Sequence, residues 1–187
     1  MLTSYPDAIA NLIQAAPPCP LGPGTPVREV RDQLSRLSHD DLSGGRSIRS
    51  REMADACLSG IWLLYNYLDE SHEISQNLSS ITGSYWHGIM HRREPDYGNA
   101  KYWFRRVGHH PIMHDLAARA AEIASGGELD AATRFLASGS DWDPMAMVDG
   151  CEAVARGRSD NQEILVQTAA EEWRLLFDYC LQEALGS

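Results

Sequence analysis

Most side chains whose types and spacing could do chemistry fall within residues 69–110. His87 and His91 stand four residues apart and Glu94 follows three later, so a helix here would carry all three in one sector. An HxxxH pair can grip one divalent ion, because neighbouring turns bring both imidazoles to the same point. Upstream, Asp69, His72, Glu73 and Gln76 continue by helical spacing the line of Leu58, Trp62 and Tyr65, so an apolar face turns into one of acids and an imidazole. The spacing predicts a metal set drawn from Asp69, His72, Glu73, His87 and His91, holding Zn, Fe, Mn or Ni, as bundle sites recruit carboxylates and histidines from facing helices. The Glu-x-x-His repeats of the carboxylate-bridged class are absent. Two plainer readings compete: a helix end emerging into water with a solvated polar turn, and a pair of surface or hydrogen-bonded histidines.

Arginines make a second case. Arg93 falls on the Trp86 and Ile89 side of its helix, where burial would demand a carboxylate from Glu70, Glu94 or Asp96. In the next helix Ala100, Trp103, Phe104 and Val107 form the core stripe, and Asn99, Tyr102 and Arg106 form a stripe beside it, facing a pocket edge. Together with Arg92, Arg105 and His109 these donors could hold a carboxylate or phosphate, since the guanidinium fork matches both bidentately. The alternative is a structural network of Arg–acid pairs tying short helices together. The chemistry that follows is hydrolysis of a small polar or anionic molecule, with Glu73 or Glu94 moving protons and Arg93 and Arg106 orienting negative charge. A metal-free anion-binding module is the other class. His39-Asp40 and His114-Asp115 read as incidental, and no G-x-S-x-G elbow, P-loop or dinucleotide fingerprint occurs.

Helices must position these groups. The pattern predicts an all-α, irregular bundle around a central helix at about 46–76. A short helix at 5–16 precedes PPCPLGPGTP (17–26), a segment that wraps rather than packs, and Val27–Leu37 is helical before the turn residues of 38–45. Further helices are expected at Tyr85–Arg93, Tyr97–Val107, Ile112–Ala124, Leu129–Leu136, Pro144–Arg156 and Asp160–Leu185. A length of 187 residues suits a single domain, with 1–26 as its wrapping segment. The net charge of −10 argues against nucleic-acid or anionic-membrane partners and leaves a small molecule, with a homo-oligomer allowed. Four scattered cysteines without a CxxC pair, no basic leader and no long apolar run point to reduced thiols in the cytoplasm.

The segments LDESHEISQ (68–76) and YWHGIMHRREPDYGNAKYWFRRVGHHP (85–111) resemble the signature of a family of uncharacterised bacterial and fungal proteins. The resemblance covers about a quarter of the chain and implies that 68–111 acts as one unit. It implies no activity, cofactor or catalytic residue.

Overall fold

The protein, a computed structural model, is described over residues 5–186. Residues 1–4, the first part of the N-terminal stretch read above for leader character, lie outside the described residues, as does Ser187. Among the described residues there are ten α-helices and no strand. In chain order they are α1 (Asp7–Ala15), α2 (Arg31–Leu34), α3 (His39–Ser43), α4 (Arg51–Leu64), α5 (Leu68–Ser75), α6 (Ile81–Arg93), α7 (Tyr97–Val107), α8 (Met113–Ala124), α9 (Pro144–Ala155) and α10 (Gln162–Leu185). None of them is long and apolar enough to cross a membrane.

Local signals set several boundaries. Asp143 caps α9 by accepting from the amides of Met145 and Ala146, with Pro144 in the first turn where its missing N–H costs nothing. Asp96 caps α7 through Asn99 N, and Ser80 caps α6 through Gly83 N, so α6 starts at Ile81, four residues before the sequence pattern places it. Several expected elements come out differently. Val27–Leu37, expected as one helix, is a 3-10 turn at Arg28–Val30 running into the four-residue α2, with neither N-cap making a side-chain bond. Residues 38–45 contain the short α3, because Ser38 and Asp41 form a reciprocal capping box. The 129–136 segment is mostly turn and a 3-10 helix at Arg134–Ser138, where Asp130 and Thr133 bond each other locally instead of supporting an α-helix.

The continuous central helix expected at 46–76 is two helices. Asn66 takes a left-handed backbone conformation at φ 68°, its N–H bonds Leu63 O, and Tyr67 N–H reaches back to Trp62 O at 3.0 Å. This is a Schellman end with asparagine in the place usually taken by glycine. Local side-chain bonding makes the conformation affordable: Asn66 Nδ2 donates to Thr25 O at 2.9 Å, and its Oδ1 accepts from the Arg93 guanidinium at 2.5 Å. The chain then doubles back, and Ser59 Oγ meets Ser71 Oγ at 2.9 Å to hold α5 against α4. Asn66→Ala is therefore expected to lose about 3 kcal/mol in urea unfolding, combining left-handed strain with a lost bond to a charged donor. Asn66→Gly keeps the turn and loses less, so the order of the two variants checks the account.

The most enclosed helix is α6, in which every residue from Thr82 to Arg93 is buried. Trp86 lies so close over Gly60 of α4 that an added Cβ would sit 2.8 Å from its ring, and its Nε1 donates to Cys180 Sγ of α10. Trp173 of α10 donates to Gly60 O at 2.8 Å, completing the α4–α6–α10 core.

His110, just before α8, is wholly buried there. Its Nδ1 accepts from Ile112 N, which leaves Nε2–H for Thr82 Oγ1 at 3.1 Å, and Tyr85 and Tyr179 pack edge-on around it. Burial and then neighbouring His109 push it from 6.5 to about 4. Between those values the unfolded chain takes up a proton that the folded chain refuses, so stability falls as pH drops through this window, by about 3 kcal/mol from this group. Urea titrations at pH 7 and pH 4.5 check it: His110→Gln is expected to show a visibly shallower acid loss than the wild type.

Candidate metal centre

Three imidazoles converge where α5 packs on α6. His72 comes from α5, and His87 and His91 come from successive turns of α6. One ligand-capable atom from each lies within 4.8 Å of the other two, and ring centroids are 4.6 Å apart for His72–His87, 4.7 Å for His87–His91 and 5.5 Å for His72–His91. The four-residue spacing puts His87 and His91 on one side of α6, and His72 joins them because the Asn66 turn swings α5 back across α6.

Outer groups hold the rings. His91 Nδ1 lies 3.0 Å from Glu94 Oε2, a carboxylate–histidine pair that fixes the proton on Nδ1 and leaves Nε2 as the acceptor. Asn99 Nδ2 of α7 occupies that acceptor at 3.0 Å. Ser75 Oγ lies 3.2 Å from His87 Nδ1 and 3.4 Å from His72 O. With the hydroxyl donating to His72 O, it accepts from Nδ1–H, and His87 Nε2 keeps a free lone pair. Trp103 of α7 covers the His87 ring at a centroid distance of 4.0 Å. Close approach of α7 depends on Gly88, between the two histidines, where a Cβ would stand 3.0 Å from the Phe104 ring.

Burial keeps the His87 and His91 rings neutral at pH 7. His87 is pushed down to about 3 by burial first and then by the nearby His91 and His72 charges. His91 is also lowered, burial outweighing the pull of Glu94. Neutral imidazole is the form that binds a metal, so both rings are ligand-competent at pH 7. A zinc ion bonded at about 2.0–2.1 Å to three nitrogens would set them about 3.4 Å apart. The rings need only close in by an ångström or so, with Asn99 releasing His91 Nε2.

The other expected site residues divide. Asp69 and Glu73 are exposed on α5 and stand outside the group of converging ligand atoms, because α5 turns only its His72 side toward α6. Glu94 is at the centre as the partner of His91, its side chain 52% exposed. Asn99 contacts the centre through His91. Arg106 lies over Trp103 at 5.2 Å and over Tyr102 at 5.9 Å, which puts a cation beside the ring that covers His87. Arg106 has no carboxylate partner among the described residues. Tyr102 is exposed, and Arg105 and His109 are exposed at the end of α7.

Arg92 and Arg93 face inward, away from solvent. Arg92 pairs through Nη2 with Glu172 of α10, which also accepts from Tyr85 OH at 3.0 Å; its side chain is 2% exposed and that of Glu172 is 0%. Although burial works against the charge, Glu172 holds the Arg92 pKa above its ordinary value. The carboxylate expected for Arg93 is absent from its contacts. Its guanidinium donates to four neutral oxygens, Gly22 O, Pro23 O, Leu63 O and Asn66 Oδ1, while Glu70 pairs with Arg31, Glu94 with His91, and Asp96 caps α7.

Sequence reasoning passed over Ser75, Trp103 and Glu172 as parts of the site or its frame. Glu172 carried a usable signal: it lies four residues from both Thr168 and Leu176 on the inner face of α10, where an acid calls for a buried base. No family model matches the chain, and neither curated proteins nor solved structures match it.

Proposed function

We propose that this chain is a metal-dependent enzyme of hydrolytic class acting on a small anionic molecule. What supports the reading is the convergence of His72, His87 and His91, with Ser75 and Glu94 holding the outer nitrogens of two of them. Three imidazoles plus an open position is the donor set of catalytic zinc sites. A divalent ion there supplies Lewis acidity, polarising a carbonyl or phosphoryl oxygen and making water nucleophilic at neutral pH. The chain's own groups divide the remaining work. Glu94 holds the proton of His91 at Nδ1 and fixes that ring, and Trp103 walls His87 from bulk water. Arg106, seated on Trp103 and bonded to Tyr102 OH but to no carboxylate among the described residues, offers its guanidinium to a carboxylate or phosphate on the substrate. The four free thiols suit a reducing compartment such as the cytoplasm.

The test begins with metal content. Protein stripped by chelator and titrated with Zn²⁺, Mn²⁺, Ni²⁺ or, anaerobically, Fe²⁺ is expected to take one equivalent of at least one of them. The Co²⁺ form is expected to show visible ligand-field bands of a low-coordinate nitrogen site. Loaded protein is then assayed on aryl phosphate and aryl carboxylate esters, with His87→Ala as the blank. Failure to bind any of the ions stoichiometrically overturns the metal centre; binding without ester hydrolysis above the blank overturns the hydrolytic assignment.

A further inference from the structure

The Pro-rich segment 17–26 forms a strap that bounds a small cavity against α6, which the candidate metal centre does not use. It is lined by Cys19 and Leu21 from the strap, Leu63 from α4, Arg92 and Arg93 from α6, and Trp173 from α10, and its volume is about 10 Å³. That is about the least room that one water-sized occupant needs.

We propose that this cavity is a binding site for a monovalent anion of halide size, held by Arg92 beneath the strap. Two independent observations carry it. First, Arg92 Nη1 is buried and has no hydrogen-bond partner among the described residues, and Arg92 is one of the residues that line the cavity. Buried donors in native folds are paired, and an orphan on a charged group is the costliest kind. Second, the charge under the strap does not cancel. Arg92 and Arg93 are both 2% exposed, and the only carboxylate bonded to either is Glu172. Four neutral oxygens satisfy the hydrogens of Arg93 without neutralising it. The nearby thiol does not supply the missing charge, because burial pushes Cys19 up, outweighing the two arginines. A water molecule would answer the orphan donor and leave a buried positive charge; a small anion answers both.

The strap ties occupancy to closure. Gly22 O and Pro23 O bind Arg93, and Cys19 stands at the cavity wall only partly exposed, while Cys57, Cys151 and Cys180 are buried. Cys19 is thus a built-in reporter, since a ligand that favours the closed strap slows its modification.

The test uses the whole wild-type chain. Crystals grown in sodium bromide are expected to show an anomalous peak inside the cavity in contact with Arg92 Nη1. In solution, modification of Cys19 by an aromatic disulfide is expected to run at least about fivefold slower in sodium bromide than in sodium gluconate of equal ionic strength. A cavity without anomalous density overturns the proposal, whether it holds water or nothing. Equal modification rates in the two salts overturn it as well.

Discussion

His87→Ala is expected to lower the affinity of the stripped protein for Zn²⁺ by more than about 100-fold, measured by competition with a chromophoric chelator. The floor follows from the outer groups: loss of a partner that merely orients a ligand costs 10–100-fold, and His87 is itself one of three converging donors. Removing it leaves two imidazoles and no nearby carboxylate among the converging atoms to take its place, since Asp69 and Glu73 lie outside the group. Glu94→Gln, which keeps the size but weakens the acceptor for His91 Nδ1, is expected to lose about 10-fold. Asn99→Ala should move the other way. Its amide holds His91 Nε2 at 3.0 Å in competition with an ion, and a hydrogen bond worth about 1 kcal/mol predicts an affinity gain of about fivefold. A purely structural histidine cluster would give no ordered series of this kind, and an unchanged affinity in His87→Ala would place any bound ion elsewhere.

The second large effect is on stability. Glu172→Ala is expected to cost about 3–5 kcal/mol, because it leaves the Arg92 guanidinium charged and buried without its counterion and takes the acceptor from Tyr85. For a chain of this size that is a fall of about 10 °C in Tm. Glu122→Gln, which breaks the exposed Arg119–Glu122 pair, is expected to leave Tm within about 1 °C. The comparison separates burial from the mere presence of an ion pair. A small effect at Glu172 would mean that Arg92 finds another anion, and bromide would then stabilise Glu172→Ala more than wild type.

These expectations bear on function because the same helix carries both features. The inner face of α6 holds Trp86, Arg92 and Arg93 against the core, and its side toward α5 and α7 presents His87 and His91. Anchoring by Glu172 and the strap fixes the helix, and a fixed helix sets the distance between its imidazoles and His72. Destabilising variants should therefore be assayed well below their own Tm before any loss of metal is read as loss of a ligand.

What the sequence by itself determined is whatever depends on neighbours three or four residues away. The helical class, the near-match of the Tyr97–Val107 and Pro144–Ala155 bounds, the cap at Asp143 and the shared sector of His87 and His91 all follow from local hydrogen bonding and the 3.6-residue period. The tertiary structure alone decided which of the nominated acids and arginines share the site. A single left-handed residue, Asn66, turned one expected helix into two and brought His72 to the pair while leaving Asp69 and Glu73 in water. Glu172, 80 residues from Arg92 in sequence, neutralised it, and carbonyls of the strap took the place of the acid expected for Arg93. Such choices rest on burial and on which surfaces meet, and charge pairing across a core carries no periodicity along the chain from which it could be read.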